Sequence, residues 1–215
     1  MDVLIVGGHG QIALRLERLL VGAGHTARGV IRNPDHAADL EATGATPVVF
    51  DLEREDGLAQ HVAGADAAVF AAGAGPGSGP ARKRTVDLGG ATKLIDACRE
   101  AGVARYVIVS SIRADRPDTW SEEMRPYFEA KAAADAAVRE SGLQYTIVRP
   151  GFLTNEPGTG RIEVGTVETP GEVSRDDVAA TILAVLETPA TIGVSFDLIG
   201  GETPIAEAVA ALRPA

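Results

Sequence analysis

The stretch Asp2-Val3-Leu4-Ile5-Val6-Gly7-Gly8-His9-Gly10-Gln11-Ile12-Ala13-Leu14 decides the fold. Val3–Val6 is apolar at every position, the pattern of a strand covered on both faces. A glycine loop follows at once, and Gln11–Ala23 then places its leucines at helical spacing. A strand, a glycine loop and a helix in that order suit the pyrophosphate of a dinucleotide. Glycine admits the backbone close to the phosphates, and the helix start offers unpaired N–H groups and a positive dipole end. Gly7, Gly10 and Ala13 fit Gly-x-x-Gly-x-x-Ala, with Gln11 and Ile12 at the helix entrance. His9, inside the loop, reads equally as a phosphate ligand or as an exposed loop residue. A purely structural turn can look the same, so the loop takes its meaning from the rest of the chain.

Outward from this stretch, strand and helix patterns alternate. Short apolar strand candidates are Thr26–Ile31, Thr46–Phe50, Ala67–Ala71, Tyr106–Val109 and Tyr145–Val148. Helix candidates lie between them, at His36–Thr43, Asp56–Val62, Lys83–Ala101 and Tyr127–Ser141. Gly24, Gly44, Gly64, Gly102 and Gly142 fall at or just past helix ends, where a left-handed cap favours glycine. This alternation predicts an α/β fold, a doubly wound parallel sheet. After Arg149-Pro150-Gly151 the regular pattern stops. Thr154 to Gly171 is rich in Gly, Pro and Thr and reads as irregular. A helix capped by Ser174, a strand near Val194–Ile199 and a short helix after Pro204 follow. The expectation is one domain over 1–215, with 151–215 as a small C-terminal appendage on the substrate side.

The 215 residues are 45% apolar and 23% charged, ordinary for a globular chain. A net charge of −10 argues against nucleic acid or an anionic membrane as the main partner. No apolar run is long enough to span a bilayer, and the N-terminus lacks a basic region ahead of its apolar stretch. The one cysteine, Cys98, lies in a helical pattern and reads as a buried thiol. A cytoplasmic protein with no internal disulfide and no metal site is expected.

Chemistry collects at the ends of the predicted strands, where open α/β sheets bind ligands. The second strand runs into Arg32-Asn33-Pro34, where an NAD site usually has an acid for the ribose 2′-hydroxyl. A guanidinium there suits a 2′-phosphate and favours NADP over NAD. The third strand ends at Asp51-Leu52, whose carboxylate can accept from the adenine amino group. The fourth ends at Ala72-Gly73, small enough to pass close to the ribose. The fifth ends at Ser110-Ser111. Tyr127 and Lys131 then share a helix face. A phenol ordinarily loses its proton only near pH 10, and a nearby ammonium lowers that value. With a serine holding a carbonyl oxygen, such a pair can deliver a proton as a hydride reaches carbon.

This ordered set resembles the short-chain dehydrogenases/reductases, in the compact atypical branch that includes flavin-, biliverdin- and quinone-reductase-like proteins. The resemblance rests on Gly7/Gly10/Ala13, Arg32-Asn33-Pro34, Asp51-Leu52, Ala72-Gly73, Ser110-Ser111, Tyr127/Lys131, Arg149-Pro150-Gly151 and Ser174–Ala179. It implies a Rossmann-type fold, with Tyr127 as acid/base and Lys131 on the nicotinamide ribose. Ser111, or Ser110 in its place, would orient the substrate. Pro150, Gly151 and Phe152 would lie against the nicotinamide. Related dehydrogenases pair helices across a dimer, so a monomer or a homodimer is expected.

On the substrate side, Trp120 reads as a lid residue or as an anchor for its own loop. Arg113 and Arg116 read as exposed loop charges that could also meet an acidic substrate. The expected activity is NADPH-dependent hydride transfer to a small carbonyl, quinone or flavin. A non-catalytic NADP-binding sensor is the alternative from another class. A sugar epimerase or dehydratase is disfavoured by the short C-terminal region.

Overall fold

A computed structural model describes residues 1–75 and 77–214. The chain runs β1 (Asp2–Val6), α1 (Gln11–Gly22), β2 (Thr26–Ile31), α2 (Ala37–Glu41), β3 (Thr46–Val49), α3 (Leu58–Val62) and β4 (Ala67–Phe70). Next come a helical turn α4 (Pro80–Arg82), a π-helical turn (Lys83–Leu88), α5 (Gly89–Ala101), β5 (Arg105–Val109), α6 (Arg125–Glu140) and β6 (Gln144–Pro150). The remainder is β7 (Phe152–Thr154), β8 (Arg161–Gly165), β9 (Glu172–Ser174), α7 (Arg175–Glu187), β10 (Val194–Gly200), β11 (Thr203–Pro204) and α8 (Ile205–Ala211).

The main sheet has the order β11-β8-β10-β6-β5-β4-β1-β2-β3. From β3 to β10 every neighbouring pair is parallel, and β8 and β11 add antiparallel pairs at one edge. The strand order reverses between β1 and β4, which opens the crevice where such sheets bind ligands. Alternate β1 residues feed opposite cores. Val3 and Ile5 pack with Leu16 and Leu20 of α1 and Val178 and Ile182 of α7. Leu4 and Val6 pack with Leu94 and Cys98 of α5 and Val138 of α6.

Three differences from the sequence pattern matter. The stretch after Pro150 is no appendage: β8, β10 and β11 complete the main sheet, and β8 lies within the segment read as irregular. β7 and β9 form a parallel pair of their own. Thirdly, the helix predicted at Lys83–Ala101 begins earlier and is wound as a π-helix over Lys83–Leu88. Ser174 caps α7 as predicted, accepting from the Asp177 N–H.

Candidate functional site

The glycine loop threads between the carboxyl ends of β2 and β4. Gly7 has φ +88°, and a Cβ there would lie 2.7 Å from the Ala72 backbone. Gly8 donates its N–H to the Val30 carbonyl at 2.9 Å, and a Cβ on it would meet Gly29 Cα at 2.8 Å. Neither position has room for a side chain, so the loop stays pressed onto the sheet end. At the entrance of α1, Gly10 is the N-cap but offers no capping side chain, and the first turn carries no acidic residue. The first-turn N–H groups and the dipole end therefore face outward without a side-chain partner, as an anion requires. Gln11 is exposed at the first helical position, and half-buried Ile12 packs against the core.

Beside this loop lies a cavity of about 350 Å³. It brings together Gly7, Gly10, Arg32, Asn33, Asp51, Leu52, Ala72 and Gly73, all predicted from sequence. Its far end is more polar than the strand ends alone suggested. Glu53 accepts from Arg82 at 3.0 Å and from the Thr85 hydroxyl at 2.7 Å, with Arg32 Nη1 at 3.6 Å. The Thr85 hydrogen bond and the Arg82 guanidinium hold the Glu53 carboxyl below its ordinary range. Asn33 caps the turn Pro34–His36 by accepting from Asp35 N–H, which sets His36 into the lining. His36 stacks on His9 at 3.7 Å, and His9 Nε2 meets Asp39 at 2.7 Å. Asp51 Oδ1 accepts from Glu53 N–H, leaving Oδ2 3.9 Å from Arg54. Glu53, His36 and Arg82 escaped the sequence reading. Arg82 lies in the helical turn that precedes the predicted helix start, and the other two lie just past strand ends.

The remaining predicted residues lie outside that cavity. Lys131 is buried on α6 and donates to the Val109 carbonyl at 3.1 Å, directly before Ser110-Ser111. Its ammonium is 3.3 Å from Asp87 Oδ1, a carboxylate only 1% exposed on the π-helical turn. The other Asp87 oxygen accepts from Ala74 N–H at 3.1 Å, so one aspartate ties the end of β4 to α6. A π turn inside a helix is a recurrent feature of functional sites. Tyr127, one turn before Lys131, lies with its ring 5.9 Å from the Lys131 ammonium and 5.2 Å from that of Lys83. Ser110 is buried against Asp135, while Ser111 is half-buried with a 3.4 Å bond to the Ile112 carbonyl. Burial pushes the Asp135 carboxyl up, opposed by Ser110 and Arg149.

Pro150 ends β6, and Gly151 donates to the Leu198 carbonyl. A Cβ on Gly151 would lie 2.2 Å from the Gly171 oxygen, so the crossing of the chain there demands glycine. Phe152 is 64% exposed, with Leu153 and Met124 also exposed. Trp120 is an anchor: its indole N–H donates to the Arg113 carbonyl at 2.8 Å, and its ring stacks on Phe128. Arg116 is no free loop charge, because it pairs with Asp197 and donates to the Val167 carbonyl. Cys98 is buried, and burial raises its thiol to about 12. Among the described residues no cluster of His, Cys, Asp or Glu could hold a metal. No helix there is long and apolar enough to cross a membrane.

A mostly parallel doubly wound sheet, with a glycine cradle and a cavity at its reversal point, defines a Rossmann-type nucleotide-binding protein. The chain belongs to the NAD(P)H-binding family, whose pattern matches residues 7–189. It is 42% identical over 211 residues to a Bacillus subtilis protein named "Uncharacterized sugar epimerase YhfK", covering 97% of this chain and 99% of that one. A Bacillus halodurans structure, named for the NAD-dependent epimerase/dehydratase class, superposes with a TM-score of 0.94 at 39% identity. It covers 99% of this chain and 100% of its own. ChuY of Escherichia coli O157:H7, described as an anaerobillin reductase, superposes with a TM-score of 0.80 at 25% identity over the whole of both chains. These likenesses place the chain among NAD(P)-binding oxidoreductase-like proteins of the atypical short-chain dehydrogenase/reductase type.

Proposed function

We propose that the protein is an NADPH-dependent reductase of a small carbonyl, quinone or flavin acceptor, working as one cofactor-binding unit over its whole length in the cytoplasm. The observation that carries this reading is the buried Lys131, fixed to the Val109 carbonyl beside Ser111 and one helical turn from Tyr127. The residues present suit the cofactor. The uncapped start of α1 and the Gly7–Gly10 cradle would take the pyrophosphate. Arg32, Arg82 and His36 would surround a 2′-phosphate once the two guanidiniums turn to it from Glu53, with Asp51 toward the adenine. When bound, NADPH supplies the hydride. Lys131 would hold the nicotinamide ribose, and Ser111 would hold the acceptor oxygen. Tyr127 would give that oxygen its proton. Ser111 takes this role over Ser110 because Ser110 is buried against Asp135.

A sugar epimerase is the second reading, favoured by the name of the Bacillus subtilis relative. Against it, β8, β10, β11, α7 and α8 after Pro150 are engaged in the main sheet and its cover. The two activities differ in electron balance, since an epimerase regenerates its cofactor and a reductase consumes it. NADPH oxidation is therefore measured against quinones, flavins and aldehydes, with wild type, Arg32→Ala and Tyr127→Phe. Expected are net consumption with one acceptor class, a roughly tenfold or greater weakening of NADPH but not NADH binding in Arg32→Ala, and a lower turnover in Tyr127→Phe. Tight binding with no consumption across the panel refutes the reductase, and equal wild-type affinity for NAD and NADP refutes the NADP preference.

A further inference from the structure

A second cavity, of about 340 Å³, lies away from the glycine loop. It starts at the amino ends of β6 and β10, beside Tyr145 and Gly193, and follows β10 to Asp197. The two cavities share no lining residue. The chain as a whole is acidic, with 20 basic against 30 acidic residues. This cavity reverses the balance: Arg116, Arg139, Arg149 and Arg213 line it against Asp115 and Asp197 alone.

The inner end is built from buried charge. Arg149 is 4% exposed, and its Nε meets Asp135 at 3.0 Å while Nη1 pairs with Asp115. Among the described residues its Nη2 has no hydrogen-bond partner. Asp197, 2% exposed, uses Oδ2 for Arg116 and for Val167 N–H at 3.1 Å, and its Oδ1 is likewise unpartnered. The two groups carry opposite charges in register on neighbouring strands, and the Arg149 guanidinium favours the ionised Asp197, so the inner end is a fixed, charge-matched wall. At the outer end Arg139 and Arg213 are exposed. Arg139 has a long contact, 3.4 Å, with the Ser195 hydroxyl, and Arg213 donates only to the carbonyls of Ala210 and Leu212. Neither has an acidic partner among the described residues. A guanidinium with no acidic partner is a natural receptor for a phosphate or carboxylate group.

We propose that this cavity is a second ligand site, which takes a small phosphate- or carboxylate-bearing molecule. Arg139 and Arg213 hold the anionic group. The volume suits a metabolite of modest size.

Inorganic phosphate and malonate serve as probes, each against sodium chloride at matched ionic strength, with NADP at saturation to fill the cofactor cavity. The readout is the thermal unfolding midpoint of wild type, Arg32→Ala and the double variant Arg139→Ala/Arg213→Ala. Both substituted positions of the double variant are exposed, and circular dichroism checks its fold. At about a hundred times the dissociation constant one probe raises the wild-type midpoint by roughly 5–10 °C. Arg32→Ala keeps that rise and the double variant loses it. The probe that acts identifies the group as phosphate or carboxylate. An equal rise in the double variant, or no rise above sodium chloride with either probe, overturns the proposal.

Discussion

Glu17→Gln isolates a buried acid that the proposed chemistry does not use. Glu17 lies on α1 with no exposed surface, facing Gly29 of β2, where a Cβ would come within 2.5 Å of Oε1. Oε1 has no hydrogen-bond partner among the described residues. Oε2 is 3.4 Å from the Thr43 hydroxyl, whose single hydrogen is better placed for the Leu40 carbonyl at 2.7 Å. Burial therefore raises the carboxyl from the ordinary 4.5 to about 8. The folded chain holds this proton through a range in which the unfolded chain has released it. The stabilisation is complete below about pH 4.5, falls as pH rises and is gone above about pH 8. At about 1.4 kcal/mol per pH unit, the interval corresponds to about 5 kcal/mol as an upper bound, of which about 3 is lost by pH 7. Glutamine keeps the shape and removes the titration. Urea unfolding at half-unit steps from pH 5 to 8 should show the stability of Glu17→Gln, relative to wild type, climbing by several kcal/mol. Parallel curves for the two proteins would refute the assignment of a neutral carboxyl at Glu17.

Two further outcomes follow from burial. Asp87→Asn leaves the Lys131 ammonium buried without its partner and should cost about 3–5 kcal/mol in denaturant unfolding; a loss below about 0.5 kcal/mol would contradict the pairing. Cys98, with its thiol raised to about 12, should resist a thiol reagent at pH 8 in the native protein and react once per chain in urea. Rapid native labelling would show that the thiol is reached without unfolding.

The sequence made the first two thirds of the fold legible because each βα unit carries its own punctuation. Thr26–Ile31 is observed with the predicted bounds, and the glycines after α1, α5 and α6 adopt the left-handed backbone a helix end asks for. β8 was not legible because Arg161–Gly165 buries only alternate residues and borrows its strand character from β10. β7 and β9 are three residues each and exist through each other. The glycine loop, Arg32 and Asp51 were legible because local sequence puts them at strand ends. Asp87 was not, since a lone acid in a helical pattern reads as solvated, and only the docking of α6 gives it a buried partner. The Arg149–Asp115–Asp135 group was hidden for the same reason, its members lying on a strand, a loop and a helix. Arg116 and Trp120, open in the sequence, are both spent on holding their own loop in place.

The parallel pairing of Phe152–Thr154 with Glu172–Ser174 closes a ring of chain beside the exposed Phe152 and Leu153. Both ends of the ring are fixed, one by Gly151 against Gly171 and the other by the Ser174 cap. Between those ends Asn155, Thr159 and Gly160 are tied to α7 and Val167 to Arg116 and Asp197, so an insertion there meets resistance along the whole stretch and not only at its closure.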